Sequence, residues 1–322
     1  MFDASYIVLC AVGAALCMLP LPWHWQARNV STLIYLGWTS TACLIACINA
    51  IIWAGNVDDK APVWCDISSR YFVCLNAGIT AAGLCLQRRL YRVATIKETS
   101  IADDLKGREL VINLLLGIGL PLLTLPLHYV VQSSRYVIVE DVGCVADSFA
   151  SFVYAGTSSS PGHMIKILTD ISKGFTIRAF FKLRREFSQV LSDSGSGISL
   201  SRFFRLMALA ATDMFCALPM ALYFFIDNLM GEGANVYSWA DIHKYVDEVT
   251  VITKEDIKSD PNFAIGLGFN RWSIPACSFV FFMYFGLSSE AIKHYKSIFW
   301  RAVAPFGFKP HPPRPRNQTF SW

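Results

Sequence analysis

The sequence predicts an all-α membrane protein, a seven-transmembrane helix bundle with the N-terminus outside and the C-terminus inside. Of 322 residues, 54% are hydrophobic and only 16% are charged, and the mean hydropathy is +0.41. A single soluble core cannot bury so much apolar surface. The apolar residues also gather into runs near the ~20 residues with which a helix crosses a bilayer. The predicted bundle occupies residues 1–295, and residues 296–322 form a short basic, proline-rich cytoplasmic tail.

Six apolar runs are clear candidates for membrane spans. They lie at residues 6–22, 30–54, 67–87, 111–131, 204–226 and 265–288. The first resembles a signal peptide in position, but PLPWHWQ follows it where a cleavage site needs small residues. We therefore interpret this first run as a signal anchor.

Basic and acidic segments between the runs set the predicted orientation, because cytoplasmic loops collect Lys and Arg. The segments at 87–109 and 178–203 are rich in Arg and Lys and are placed inside, together with the basic tail. The segments at 56–66 and 228–260 are acid-rich on balance and are placed outside.

Parity then requires one more crossing between the fourth clear span and the basic segment at 178–203. The best window is SFASFVYAGTSSSPGHMI, residues 148–165, which is uncharged but rich in Ser and Gly. Such a window would have to pack among its neighbours through small-residue contacts. Lys166 follows at once, and a Lys at a helix centre costs ~2.5 to 3.5 kcal/mol. We therefore expect marginal insertion, mixed topology and poor delivery to the cell surface.

Seven sequence blocks carry a resemblance to a known family. They are LPLPWHWQARN (19–29), APVWCDISSR (61–70), LCLQRRLYRVA (84–94), GIGLPLLTLPLHYVVQSSRYVIVEDVGC (117–144), TIRAFFKLRREFSQVLS (176–192), SRFFRLMALA (201–210) and RWSIPACSFVFFMYFGLSSEAIKHY (271–295). Together these blocks resemble the fungal a-factor-type mating pheromone receptors, especially those of basidiomycetes. The resemblance implies a class D G-protein-coupled receptor in the plasma membrane. It also implies a farnesylated peptide pheromone as ligand and a heterotrimeric G-protein α subunit as partner.

Candidate ligand-binding residues lie toward the predicted outer ends of the spans. They are Trp64, Arg70, Tyr129, Tyr136, Trp239, Arg271 and Trp272. The aromatic members offer flat apolar surface with polar tips, which suits a prenylated peptide. They could equally form an interfacial aromatic belt. The two arginines could contact ligand or snorkel toward the membrane surface.

Two further sets of residues are assigned to signalling. Asp213 lies within a span, six residues before Pro219, and a buried carboxylate beside a kink suggests a switch. The basic residues expected to face a G protein are Arg88, Arg89, Arg92, Lys182, Arg184, Arg185, Arg202 and Arg205. The alternative role of these charges is to fix topology and hold anionic lipid headgroups.

Cys65 and Cys144 both fall on the predicted outer side, which is an oxidising compartment. A disulfide between them would tie the loop after the fourth clear span to the third span, and two free thiols are the alternative.

No motif for catalysis, cofactor binding or metal ligation appears in the sequence, so we expect no enzyme, no cofactor and no metal site. A net charge of +4 does not indicate a nucleic-acid partner. Two alternatives to a mating receptor stay open: a receptor-like or degenerate paralogue without a mating role, and a polytopic transporter. The sequence contains no internal repeat of the kind that transporters use.

Overall fold

The computed structural model describes residues 4–95, 103–130, 132–147, 239–287 and 289–306. The helices and strands of these residues are numbered in chain order. The first four helices are α1 (Ala4–Met18), α2 (Leu21–Gln26), α3 (Val30–Ile52) and α4 (Pro62–Thr95). A nearly continuous helix follows, made of α5 (Asp103–Leu114), a π-helical turn (Leu115–Gly119), α6 (Leu120–Leu122) and α7 (Thr124–Tyr129).

The remaining elements comprise a small sheet and the C-terminal helices. They are β1 (Ser134–Val139), β2 (Gly143–Val145), α8 (Trp239–Ile242), β3 (Tyr245–Ile252), α9 (Lys254–Ser259), α10 (Pro261–Phe281), a second π-helical turn (Phe282–Gly286), α11 (Ser289–Val303) and a 3₁₀ turn (Ala304–Phe306).

Three helices in the described part of the chain are long and apolar enough to cross a membrane. They are Val30–Ile52, Pro62–Leu86 and Gly107–Tyr129. The helix Ala4–Met18 is apolar but shorter, so the span predicted at 6–22 ends early and α2 follows it as a separate helix. The spans predicted at 148–165 and 204–226 lie outside the described residues. The count of seven spans therefore stays a prediction.

Helix ends differ from the predicted boundaries because polar residues can continue a helix beyond the hydrocarbon. The predicted span 67–87 belongs to α4, which begins at Pro62 and continues to Thr95. Arg88, Arg89 and Arg92 are therefore helical, which corrects their placement in a loop. The predicted span 265–288 starts earlier, at Pro261, where the Asp260 carboxylate accepts hydrogen bonds from the N–H groups of Asn262 (3.0 Å) and Phe263 (3.1 Å).

The helices pack as a bundle in which α3 is central. It contacts α1 on one side and α4 on another, and α10 closes against α1 and α3. The core at this junction contains Tyr35 and Phe281, whose rings stack at 5.2 Å. Small residues allow the close approach, since Gly13 of α1 lies directly against the Ser278 side chain of α10.

A three-stranded sheet caps one end of this bundle, which corrects the prediction of an all-α protein. The strand order is β2-β1-β3; β1 and β2 form an antiparallel hairpin, whereas β1 and β3 run parallel. The SRYVIV sequence of β1 is rich in β-branched and aromatic residues, which favour strands. A disulfide joins Cys65, at the start of α4, to Cys144 in β2. We call this end of the bundle, where α3 ends and α4 and α10 begin, the sheet end.

Candidate functional site

The end of α3 is connected to the sheet through buried polar side chains. The Trp64 indole N–H donates to Asn49 Oδ1 at 2.6 Å, and Asn49 Nδ2 donates to the Cys144 carbonyl at 3.4 Å. Trp53 is fully buried beside them and donates from Nε1 to the Asp58 carbonyl at 2.9 Å. A buried amide with partners on both sides fixes the position of the hairpin on the helix end.

Asp66, near the start of α4, holds two arginines. Arg135 of β1 donates from Nη2 at 2.5 Å and from Nε at 3.1 Å to the two carboxylate oxygens. Arg70, one helical turn along α4, donates from Nη1 to the same carboxylate at 2.8 Å. A two-point arginine–carboxylate contact is geometrically specific, so it fixes the register of β1 against α4.

Tyr136, the next residue of β1, points the other way into the protein. Its side chain is fully buried, and its hydroxyl lies 3.1 Å from both carboxylate oxygens of Asp59. Burial, reinforced by the Asp59 carboxylate, raises the pKa of Tyr136 to about 12. The hydroxyl therefore remains a hydrogen-bond donor throughout the physiological pH range.

The hairpin turn and the start of α9 form an ionic contact. Lys254 Nζ lies 2.5 Å from Asp141 and 3.3 Å from Glu140, and the Lys254 backbone N–H donates to Glu140 at 3.0 Å. Burial acts to raise the pKa of Asp141, but Lys254 and the Gly55 N–H outweigh it and hold that pKa below its usual range. The Lys254 backbone N–H, with its ammonium, likewise lowers the pKa of Glu140.

An aromatic group lies at the end of α7. The His243 ring stacks on Trp239 with centroids 3.8 Å apart, and Tyr129 lies 5.4 Å from the same imidazole. His243 Nε2 is 2.9 Å from the Tyr129 carbonyl. Tyr129 and Trp239 are each 51% exposed, so this group presents apolar surface outward.

A second aromatic group joins α1 to α10. The Arg271 guanidinium lies 4.0 Å above the Tyr6 ring, and Trp272 meets the same ring edge-on at 5.3 Å. The Tyr6 hydroxyl donates to the Arg271 carbonyl at 3.3 Å. Trp272 itself is 40% exposed.

Comparison with known proteins assigns the chain to a family. The STE3 family, described as Pheromone A receptor, matches residues 5–306. The chain belongs to this family. It is 34% identical over 307 residues to the Pheromone B alpha 1 receptor of Schizophyllum commune, covering 91% of this chain and 46% of that protein. It is 29% identical over 289 residues to Pheromone receptor 1 of Ustilago hordei, covering 89% of this chain and 80% of that protein.

A yeast member is more distant. The Pheromone a factor receptor of Saccharomyces cerevisiae is 27% identical over 311 residues, covering 94% of this chain and 63% of that protein. This STE3-family chain spans about half the length of the Schizophyllum relatives that it matches.

The structure divides the seven predicted ligand-binding residues of this STE3-family chain among the groups above. Trp64, Arg70 and Tyr136 belong to the hydrogen-bonded side chains at the sheet end, where their partners are Asn49, Asp66 and Asp59. Tyr129 and Trp239 form the aromatic group with His243, whereas Arg271 and Trp272 lie with Tyr6. Trp64 is hydrogen-bonded to Asn49 and Tyr136 to Asp59, so in this conformation both side chains support the sheet. Contact with ligand stays a prediction for all seven.

Sequence reasoning missed several residues that hold this end together. Asp66, Arg135 and Lys254 are charged residues in segments interpreted as loops, where charge is ordinary and gives no signal. Asp66 meets Arg135 because β1 packs against the start of α4. Lys254 reaches the hairpin turn through the parallel pairing of β1 with β3, which joins residues more than 100 positions apart.

The opposite end of the bundle carries the basic residues of α4. Arg89 is half-buried and its Nη1 donates to Asn29 Oδ1, at the start of α3. Arg88 is half-buried as well, and the Arg92 side chain lies outside the described residues. The remaining predicted signalling residues also lie outside the described part of the chain: Lys182, Arg184, Arg185, Arg202, Arg205, Asp213 and Pro219. Among the described residues, no three His, Cys, Asp or Glu side chains are arranged to hold a metal ion.

Proposed function

We propose that this chain is a plasma-membrane G-protein-coupled receptor for a prenylated peptide mating pheromone. The observation that carries the proposal is the match to the Pheromone A receptor family over residues 5–306, nearly the whole chain. The named relatives are pheromone receptors of basidiomycetes and yeast. Apolar helices long enough to span a membrane agree with such a role.

The sheet end is the proposed outer side. It carries the Cys65–Cys144 disulfide, and disulfides persist in oxidising compartments. Residues 56–66 and 239–260, the described parts of the acid-rich segments, lie here, and Arg88 and Arg89 of α4 lie at the other end, which agrees with the positive-inside rule. The proposed ligand therefore approaches the bundle from the sheet.

The sheet also supports the proposed seven-span topology. Residues 134–139 and 245–252 lie side by side in one sheet, so both are on the same side of the membrane. The chain between them must then cross an even number of times. Proposed spans at 148–165 and 204–226 satisfy this condition, and they leave the basic segment at 178–203 inside. Its residues Lys182, Arg184, Arg185 and Arg202 would face the G-protein α subunit.

The exposed aromatic side chains at the sheet end are the proposed contacts for the prenyl group. Tyr129 and Trp239 are each 51% exposed, and Trp272 is 40% exposed. A farnesyl chain gains roughly 0.8 kcal/mol for each CH₂ group that it buries. Most of the ligand's affinity would therefore depend on the lipid rather than on the peptide.

A reporter assay tests this function. The chain is expressed in yeast cells that lack their own pheromone receptors, and the cells are treated with synthetic peptides that end in a farnesylated cysteine methyl ester. We expect G-protein-dependent reporter induction by at least one such peptide and a far weaker response to the same peptide without farnesyl. Equal responses to both forms, or none from a receptor present at the surface, would contradict the proposal.

A further inference from the structure

Two helices of the bundle contain prolines that remove a backbone hydrogen bond. In a regular α-helix the carbonyl of residue i accepts from the N–H of residue i+4, and proline has no N–H. Pro121 therefore takes away the regular partner of the Gly117 carbonyl, and Pro275 does the same for the Arg271 carbonyl. Both prolines are buried.

In each case an aromatic side chain from another helix donates to that carbonyl. The Trp38 indole N–H of α3 donates to the Gly117 carbonyl at 2.9 Å. The Tyr6 hydroxyl of α1 donates to the Arg271 carbonyl at 3.3 Å. The two helices thus have the missing hydrogen bond supplied by a neighbour.

Each proline carbonyl also accepts a hydrogen bond, from a hydroxyl three residues further along the same helix. Thr124 Oγ1 donates back to the Pro121 carbonyl at 2.6 Å, and Ser278 Oγ donates to the Pro275 carbonyl at 2.7 Å. Hydroxyls that bond back along a helix bend it. A π-helical turn lies near each proline, Leu115–Gly119 just before Pro121 and Phe282–Gly286 after Pro275. Such turns mark places where the helical hydrogen-bond pattern changes.

The position of Trp38 is fixed by a glycine of a third helix. A Cβ atom added to Gly78 of α4 would lie 2.5 Å from the indole ring, so the ring rests directly on the α4 backbone. The Tyr71 hydroxyl of α4 donates to the Trp38 carbonyl at 2.7 Å. One indole therefore connects α3, α4 and the helix that contains Pro121.

We propose that Trp38 and Tyr6 are conformational locks, each holding a proline-interrupted helix in its observed shape by supplying the hydrogen bond that the proline removes. Loss of either donor frees the Gly117 or Arg271 carbonyl to exchange its partner and lets the helix change its bend. The inference rests on the proposed function in one respect only, that a change of helix shape is what such a receptor transmits.

A double-mutant cycle tests the first lock on the full chain purified in detergent micelles. Trp38→Phe removes the donor, and Pro121→Ala returns an N–H to the Gly117 carbonyl. We expect Trp38→Phe to lower the unfolding midpoint in the Pro121 background by about 2 to 4 °C more than it does in the Pro121→Ala background. Packing lost with the indole is common to both backgrounds and cancels. An equal loss in the two backgrounds would overturn the lock.

The second lock is tested by a cycle in which the donor variant keeps its aromatic ring. Tyr6→Phe removes only the hydroxyl, and Pro275→Ala restores the backbone donor. We expect Tyr6→Phe to lower the unfolding midpoint in the Pro275 background and not in the Pro275→Ala background. An unchanged midpoint in the Pro275 background would overturn this lock. The result does not depend on whether the Trp38 variants fold.

Conformational release has its own readout in backbone hydrogen exchange. Gly78→Ala displaces the indole, so amides that follow Gly117 should exchange faster, whereas Gly83→Ala on the same helix meets no atom within 4 Å and should change nothing. Unchanged exchange in the Gly78 variant would overturn the proposal. Because none of these measurements uses a pheromone, their failure is distinct from failure of the proposed function.

Discussion

Gly143 shows how one residue determines the shape of the sheet end. It begins β2 with φ of +94°, a backbone conformation that side chains rarely adopt. A Cβ atom there would lie 2.5 Å from Asn49 Cβ and 3.0 Å from the Trp53 ring. Asn49 in turn bonds Trp64 and the Cys144 carbonyl. The hairpin can approach α3 closely only because this position has no side chain.

We predict that Gly143→Ala destabilises the protein by more than about 3 kcal/mol, because backbone strain adds to the displacement of Asn49. Gly55→Ala is the matched control: its φ is +63°, but an added Cβ meets nothing within 4 Å, so strain alone should cost about 1 to 2 kcal/mol. Thermal unfolding of the two variants, side by side with wild type, measures the difference. Equal losses would mean that the contact with Asn49 carries no energy.

Residue types alone identified part of this site. Cys65 and Cys144 could be proposed as a pair because both fall in short polar segments on one predicted side, and the structure joins them. Trp64 and Tyr136 could be placed at the sheet end, but the full burial of Tyr136 could not, because the sequence gives no signal that its segment packs against the helix ends. Burial of a loop residue depends on which distant segment packs over it.

At the scale of elements, apolar runs predicted the helices well and their ends poorly. Hydropathy locates the part of a helix that lies in hydrocarbon, and α4 continues for two more turns through arginines that hydropathy excludes. The strands were not predicted. Tyr245–Ile252 lies in an acid-rich segment, and its side chains are mostly exposed. The segment therefore lacks the alternation of apolar and polar residues that predicts a strand with one buried face. Its pairing with β1 is held by backbone bonds and by the contact of Lys254 with the hairpin turn.

That contact predicts a pH dependence of stability. The pKa values of Asp141 and Glu140 are lower in the folded protein than the usual values of about 4. Their contribution is therefore complete above the unfolded pKa and is lost as the pH falls through the folded pKa. The unfolding midpoint of Lys254→Met should lie below that of wild type at pH 7, and the difference should shrink between pH 5 and pH 3.

Lys60→Met provides the control for this measurement. Lys60 lies 3.5 Å from Asp58, and the two side chains are 49% and 72% exposed, so solvent screens the pair. We expect this variant to follow wild type at every pH. A Lys254 variant whose difference from wild type stays constant from pH 7 to pH 3 would show that the ionic contact contributes nothing.

At the scale of the whole molecule, the sheet and the disulfide act as constraints on topology. The disulfide places the start of α4 on the same side as the hairpin, and β3 adds residues 245–252 to that side. The positive-inside rule predicted the same grouping of these segments, because it depends on the arginines near the helix ends. What charge could not give is the physical link: the segments 56–66, 134–145 and 245–252 contribute side chains to one buried cluster.

The final prediction concerns the chain between Val145 and Tyr245, for which we propose spans at 148–165 and 204–226. Acceptor sites for N-glycosylation report which loops reach the outside. The first site is made in the exposed segment before α4, by Asp58→Asn with Lys60→Thr, because the segment after α7 begins with Ser134 buried in β1. Further sites are introduced near Ser192 and near Asn235. We expect modification at position 58 and near Asn235, and only partial modification near Ser192, because the window at 148–165 crosses marginally and leaves 178–203 inside wherever it does cross. The natural motif Asn29-Val30-Ser31, at the opposite end from the sheet, serves as the internal control and should stay unmodified. Complete modification near Ser192 would mean that the serine-rich window remains outside, and the seven-span topology would then be wrong.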